Sequence, residues 1–190
     1  MTEANTAQNE EQTVNGVTVG TVMNLIGSIN ENNDNAQFQF RLKNHWVDGG
    51  QNRSHIQDFF ADGREDDTRT EPFIVDADEP VINSGQDSSP NPMEFVLHSL
   101  ASCMTSTLVY HAAVQGIEIE SVESSLVGDL DVRGMLGLSE KSRKAYNNVR
   151  VHMHVKSAAN TDTLKGLAMF SPVYDMISRS LPVQFELEKI

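Results

Sequence analysis

A chain of 190 residues with 27 acidic and 14 basic side chains has a formal net charge of -13 and a single cysteine. The length suffices for one real core, while the charge argues against nucleic acid, whose phosphates need clustered Lys and Arg, and repels anionic membrane surfaces. One cysteine excludes an intrachain disulfide and any cysteine-based zinc site.

Residues 1–15 lack apolar periodicity and are expected to be a disordered tail, which leaves 16–190 as a single domain. The acidic, polar opening has neither the basic nor the apolar region of a signal peptide, so a cytoplasmic location is expected. From Val17 to Ile29, apolar residues recur at helical spacing and predict a short amphipathic helix, ended by Asn32-Asn33-Asp34-Asn35. Phe38, Phe40 and Leu42 then alternate with polar residues, a strand running towards Trp46. Asp48-Gly49-Gly50 reads as a turn, with Arg53 to Phe60 returning as a hairpin. Ala61 to Thr68 reads as a charged loop, Phe73 and Val75 mark a third strand, and Asp76 to Ser89 is a connector.

The most informative segment follows. Asn91 suits an N-cap, Pro92 the first helical position, and Glu94 the acid of a capping box. Apolar residues from Phe95 to Ala113 cover more than one face, and Gly116 offers the stop, so a buried helix over about 92–115 is predicted. Glu94, His98 and His111 make it a poor membrane span. Cys103 lies in its middle, pointing into a core or an internal pocket.

Beyond Gly116 the period returns to two. Ile117 to Val132 predicts one or two strands, and Gly134 to Asn148 a loop or short helix. Val149, Val151, Met153 and Val155 alternate with Arg150, His152, His154 and Lys156, a clear amphipathic strand. Thr161 to Phe170 reads as a helix, Ser171-Pro172 opens another to Ser180, and Val183 to Leu187 is a last strand. Together these elements, N-terminal about 17–75, central helix, and C-terminal about 117–190, make an α+β fold.

Cys103 has two readings. A free buried Cys is commonly a small apolar side chain, and a reactive one needs a cation, a helix N-terminus or a polar pocket. At about three turns into its helix, the dipole acts weakly on it. His98 and His111 stand at neither i±3 nor i±4 from Cys103, so no Cys-His pair forms along the helix. His152 and His154 share a strand face and are half a metal site or, more commonly, a solvated face; no metal or cofactor is expected. Asp129 and Asp131 share a face in the same way, and Glu65-Asp66-Asp67 is a solvated charge run.

Ser89-Pro90-Asn91-Pro92-Met93-Glu94 in register with Leu100-Ala101-Ser102-Cys103, then Gly116-Ile117, Gly128-Asp129-Leu130-Asp131, Ser171-Pro172-Val173 and Leu181-Pro182-Val183, resemble the OsmC/Ohr family of thiol peroxidases and their relatives. Phe38 to Phe73 resembles a subgroup with an extended N-terminus. The resemblance implies antiparallel sheets packed on a long central helix, and two chains intertwined as a homodimer with the reactive thiols near the interface. In the peroxidase branch a peroxidatic Cys attacks an organic hydroperoxide, a second Cys resolves the sulfenic acid, and a Glu and an Arg hold the thiolate. Cys103 falls on the peroxidatic position. Ser171 stands where the resolving Cys should be, and Met93 where the Glu should be, with Glu94 displaced by about 100° around the helix. Arg64 or Arg69 would supply the cation.

Two functions follow. One is a one-cysteine peroxidase, with Cys103 oxidised by a small hydrophobic peroxide and an external thiol as reductant. The other is a non-catalytic dimer binding a hydrophobic or acyl ligand in the former active-site pocket, lined by Met93, Glu94, Met104, Phe95, Phe170 and Ser171.

Overall fold

The computed structural model describes residues 12–190, and these divide into two units. One comprises the described residues up to Val19 together with Val96–Ile190, the other Gly20–Phe95. The tail expected over residues 1–11 lies outside the described residues. Thr13 and Val14 are already a strand, so the expected tail reaches too far.

In the first unit, Asn15 and Gly16 take positive φ, 54° and 77°, the geometry of a two-residue hairpin turn. They join β1 (Thr13–Val14) to β2 (Val17–Thr18). The Asn15 amide clamps this hairpin to the chain beyond the long helix: its Nδ2 donates to Ile117 O at 2.9 Å and its Oδ1 accepts from Ile119 N at 2.8 Å. This turn takes Val17 into a strand, so α1 begins at Val19 and runs to Glu31 instead of starting at Val17.

The long helix α2 spans Pro92–Val114, close to its expected bounds. Gly116 closes it at φ +68°, where a Cβ would be strained, and Ile117 N donates back to Ala112 O. Leu100, Met104, Leu108 and Ala112 form an i, i+4 stripe with no exposed surface. A sheet in the order β11-β10-β9 supplies the facing apolar surface. Its strands are β9 (Ile119–Leu130), β10 (Tyr146–Ser157) and β11 (Val183–Lys189). Val149, Val151, Met153 and Val155 of β10 are fully buried, as their alternation predicts, each contributing about 1.5–3 kcal/mol.

The short helix α3 (Val132–Met135) follows β9, capped by Asp131, whose carboxylate accepts from Arg133 N. Between β10 and β11 lie α4 (Thr161–Ala168) and α5 (Pro172–Ser178). That helical crossover lets β11 run parallel to β10, whereas β9 is antiparallel to it. The sheet is therefore mixed within an α+β fold.

The second unit differs from the predicted hairpin. The stretch from Phe38 to Trp46 forms two strands, β3 (Gln39–Phe40) and β4 (Lys43–Asp48). The return strand likewise divides into β5 (Gln51–Ile56) and β6 (Phe59–Ala61). The expected charged loop instead contains β7 (Arg64–Asp66), paired with β6 around Asp62-Gly63 at φ 49° and 73°. That Asp-Gly pair is itself a hairpin signal. With β8 (Phe73–Ala77), two sheets result, β3-β6-β7 and β4-β5-β8.

Asp78 follows β8 and is completely buried. Its carboxylate accepts from the backbone N–H groups of Glu79, Gln86 and Ser88, the Ser88 hydroxyl and the Gln51 amide. Burial pushes its pKa up, but these donors prevail and hold it at about 2, against an ordinary 3.8.

Candidate functional site

Every chemical reading of this chain starts from Cys103, a free and half-buried thiol on α2. It sits one position before Met104, beside the buried stripe. The α2 serines bond within the helix: Ser102 Oγ donates to His98 O, and Ser106 Oγ to Ser102 O and, at 3.4 Å, to Cys103 O.

The residues named with Cys103 each have a place of their own in the fold. Met104 is fully buried in the core stripe. Ser171 is also fully buried and caps α5, its Oγ accepting from Tyr174 N at 3.1 Å. Neither has exposed surface in the single chain. Phe170 is 65% exposed and stacks on the His111 ring of α2, with centroids 4.6 Å apart. Glu94 is committed to the helix start: its carboxylate accepts from Asn91 N at 2.8 Å while Asn91 Oδ1 accepts from Glu94 N at 2.9 Å. Nine residues of helix put it about 13.5 Å along the axis from Cys103. Met93 is half-buried at the same end.

Arg64 and Arg69 belong to the other unit. Arg64 is exposed on β7. The Arg69 guanidinium lies over the rings of Phe59 and Phe73, at 4.7 and 5.1 Å, and donates to Gln57 O. His152 and His154 face Glu186 and Glu188 across β11, at 3.3 and 3.8 Å. Asp129 is hydrogen-bonded by Arg150, which holds its carboxyl below the usual range, and Asp131 is held low by Arg133 and Ser142. The two aspartates are ion-paired, and the two histidines lie exposed on their strand face.

A groove of about 570 Å³ runs along α2 beside Cys103, lined by His98, Ala101, Ser102, Thr105, Val109 and Tyr110 with Val17 and Ser124 across it. None of the expected pocket residues lines it. Its signal was the set His98, Ala101, Ser102 and Thr105 at i, i+3, i+4 and i+7, which a search for large apolar side chains passes over.

Replacing Ser171 tests the cap. Ser171→Ala removes the acceptor of Tyr174 N and is expected to lower stability by about 1 kcal/mol. Urea unfolding should show a lower midpoint with an unchanged slope; an unmoved midpoint would show the cap to be energetically idle.

Fold and thiol together describe an α+β protein that carries one cysteine on a long helix with one buried stripe. Residues 85–186, more than half of the chain, match the family model described as OsmC-like protein, and the chain belongs to that family. Its fold is similar to an OsmC-like protein from Mycoplasma pneumoniae, with 12% identity, a TM-score of 0.60, and coverage of 80% of this chain and 97% of that one. An OsmC-like protein of unknown function from Vibrio cholerae shares 15% identity at a TM-score of 0.55, covering 79% and 99%. An organic hydroperoxide resistance protein OsmC from Legionella pneumophila shares 18% at 0.53, covering 79% and 96%. At these identities the likeness is one of fold. No curated protein matches the chain. Among the described residues, no helix is long and apolar enough to cross a membrane.

Proposed function

We propose that this chain reduces organic hydroperoxides, with Cys103 as the thiol that attacks the peroxide. The observation that carries the reading is a free, half-buried thiol, the only one in the chain, midway along a long helix inside the segment that matches the family. The substrate class is the one in the name of the Legionella pneumophila relative.

In the proposed step the Cys103 thiolate attacks one peroxide oxygen and the O–O bond breaks. The alkoxide leaves as an alcohol after taking a proton, and Cys103 becomes a sulfenic acid. Ser171 cannot form a disulfide, so an external thiol attacks the oxidised sulfur, water leaves, and a second thiol releases Cys103. The thiolate needs a cation, and the partner subunit's Arg64 or Arg69 would supply it in an intertwined homodimer. Exposed apolar residues on α2, Tyr110 at 53% and Val114 at 37%, support a second copy covering the rest of this helix.

The groove along α2 and the serine at position 171 favour a second reading, binding of a hydrophobic or acyl ligand without chemistry. Dimedone trapping after treatment with cumene hydroperoxide separates the two. The peroxidase reading expects one sulfenic acid per chain on Cys103. An unmodified thiol, together with thermal stabilisation by a fatty acid, would establish the binding reading instead.

A further inference from the structure

The register of the β4-β5-β8 sheet brings an unusual set of side chains to one face. Lys43 pairs with His55 and His45 with Arg53, while Arg53 and His55 pair on their other side with Asp76 and Ile74. In antiparallel strands, paired residues share a face, so Lys43, His45, Arg53 and His55 stand together. Arg41 joins them at the edge of a groove of about 410 Å³, between the apolar walls of Leu42 and Pro72. Such a concentration of base is unexpected in a chain of net charge -13.

Most acids near this face are already engaged. Asp76 is held by Arg53, with Nε to Oδ1 at 2.6 Å, and Glu65 by both terminal nitrogens of Arg41 at 2.8 Å. Asp58 on the groove rim is the remaining carboxylate. The Lys43 ammonium, by contrast, has no ion-pair partner among the described residues. The rings of His45 and His55 lie with centroids 5.4 Å apart and make no hydrogen bonds among the described residues. Two imidazoles so close repel one another when both are protonated. An anion between them and Lys43 removes that repulsion and uses their free N–H donors.

We propose that this groove binds a small oxyanion, a phosphate or a carboxylate, through Lys43, His45 and His55. The volume is that of a small-molecule site, and the apolar walls leave room for a short organic group on the anion. Arg53 and Arg41 hold the Asp76 and Glu65 carboxyls below the usual range, so both stay committed to their own cations.

The test is an NMR titration of the histidine ring signals with inorganic phosphate and, separately, with succinate, at constant ionic strength. Saturable shifts of His45 and His55 are expected at pH 6. Saturation by phosphate alone assigns a phosphate ligand, and saturation by succinate alone a carboxylate. Lys43→Ala, at an exposed position, should weaken binding at pH 6 while leaving the fold and the peroxide reactivity of Cys103 unchanged. Non-saturating shifts up to roughly 10 mM of either anion, or equal affinity measured by calorimetry in the His45→Gln/His55→Gln double variant, would overturn the proposal.

Discussion

Cys103→Ser is expected to lose peroxide turnover by at least about a thousandfold while the protein stays folded. A hydroxyl is far less acidic than a thiol and has no accessible oxidised state corresponding to sulfenic acid, so no slower version of the same chemistry remains. The side chain is half-buried and nearly isosteric, so unfolding midpoints should move little, and sedimentation at micromolar concentration should show the same oligomeric state for both proteins. The wild-type rate itself depends on how far the thiol is ionised at neutral pH. With Met93 in place of the family's acid and Glu94 held by Asn91, a slow peroxidase is expected. Iodoacetamide labelling across pH measures this directly. A midpoint near the free-thiol value of about 8.5 would defeat the enzyme reading, and a lower one that returns to it in Arg64→Ala or Arg69→Ala would identify the cation. Arg69→Ala also removes the cation from over Phe59 and Phe73, so its stability must be measured beside its labelling.

Asp78→Asn is expected to cause the largest loss of stability among polar substitutions. The buried carboxylate accepts three backbone N–H groups, a hydroxyl and an amide, and so gathers Gln51, Glu79, Gln86 and Ser88 into one knot. Asparagine offers one oxygen in place of two and turns an NH2 against donors that then lack a partner. A fall in Tm on the order of 5–10 °C is expected. The same group makes stability depend on acid. Its folded pKa, about 2, lies below the ordinary 3.8. Its contribution is therefore complete above the unfolded value and is lost as pH falls through the folded one. Urea midpoints of the wild type should drop between pH 4 and pH 2, and part of that drop should be missing in Asp78→Asn. Parallel pH profiles for the two proteins would show that the knot carries no linked stability.

Elements whose cause is local were legible in the residues themselves. Asn91 and Glu94 build the start of α2 through reciprocal backbone-to-side-chain hydrogen bonds, with Pro92 at the first helical position, and Gly116 ends it through its own φ. The alternation of Val149 to Val155 is a period that any half-buried strand shows, and all four residues are buried. The Ser171 cap needs only the N–H three residues on. The Asp62-Gly63 hairpin is equally local, and the charges around it mask its signal by resembling those of a solvated loop.

The candidate site was legible as a position, and its surroundings were not. Cys103 announces itself as the only thiol, and its register with Pro92 and Gly116 identifies the family. Whether its neighbours line a cavity depends on which face of α2 the sheet covers. Coverage took Met104 into the core and left the face of Ala101, Ser102 and Thr105 beside a groove.

By itself, then, the sequence determined the helix that carries the thiol, the strand alternation, the caps and the family, because each rests on residues within a few positions of one another. Tertiary structure alone decided the parallel pairing of β11 with β10, the burial of Asp78 and the gathering of Lys43, His45, Arg53 and His55 on one sheet face. Those depend on which strands meet and in what register, and a one-residue slip would turn the basic face to the opposite side of its sheet.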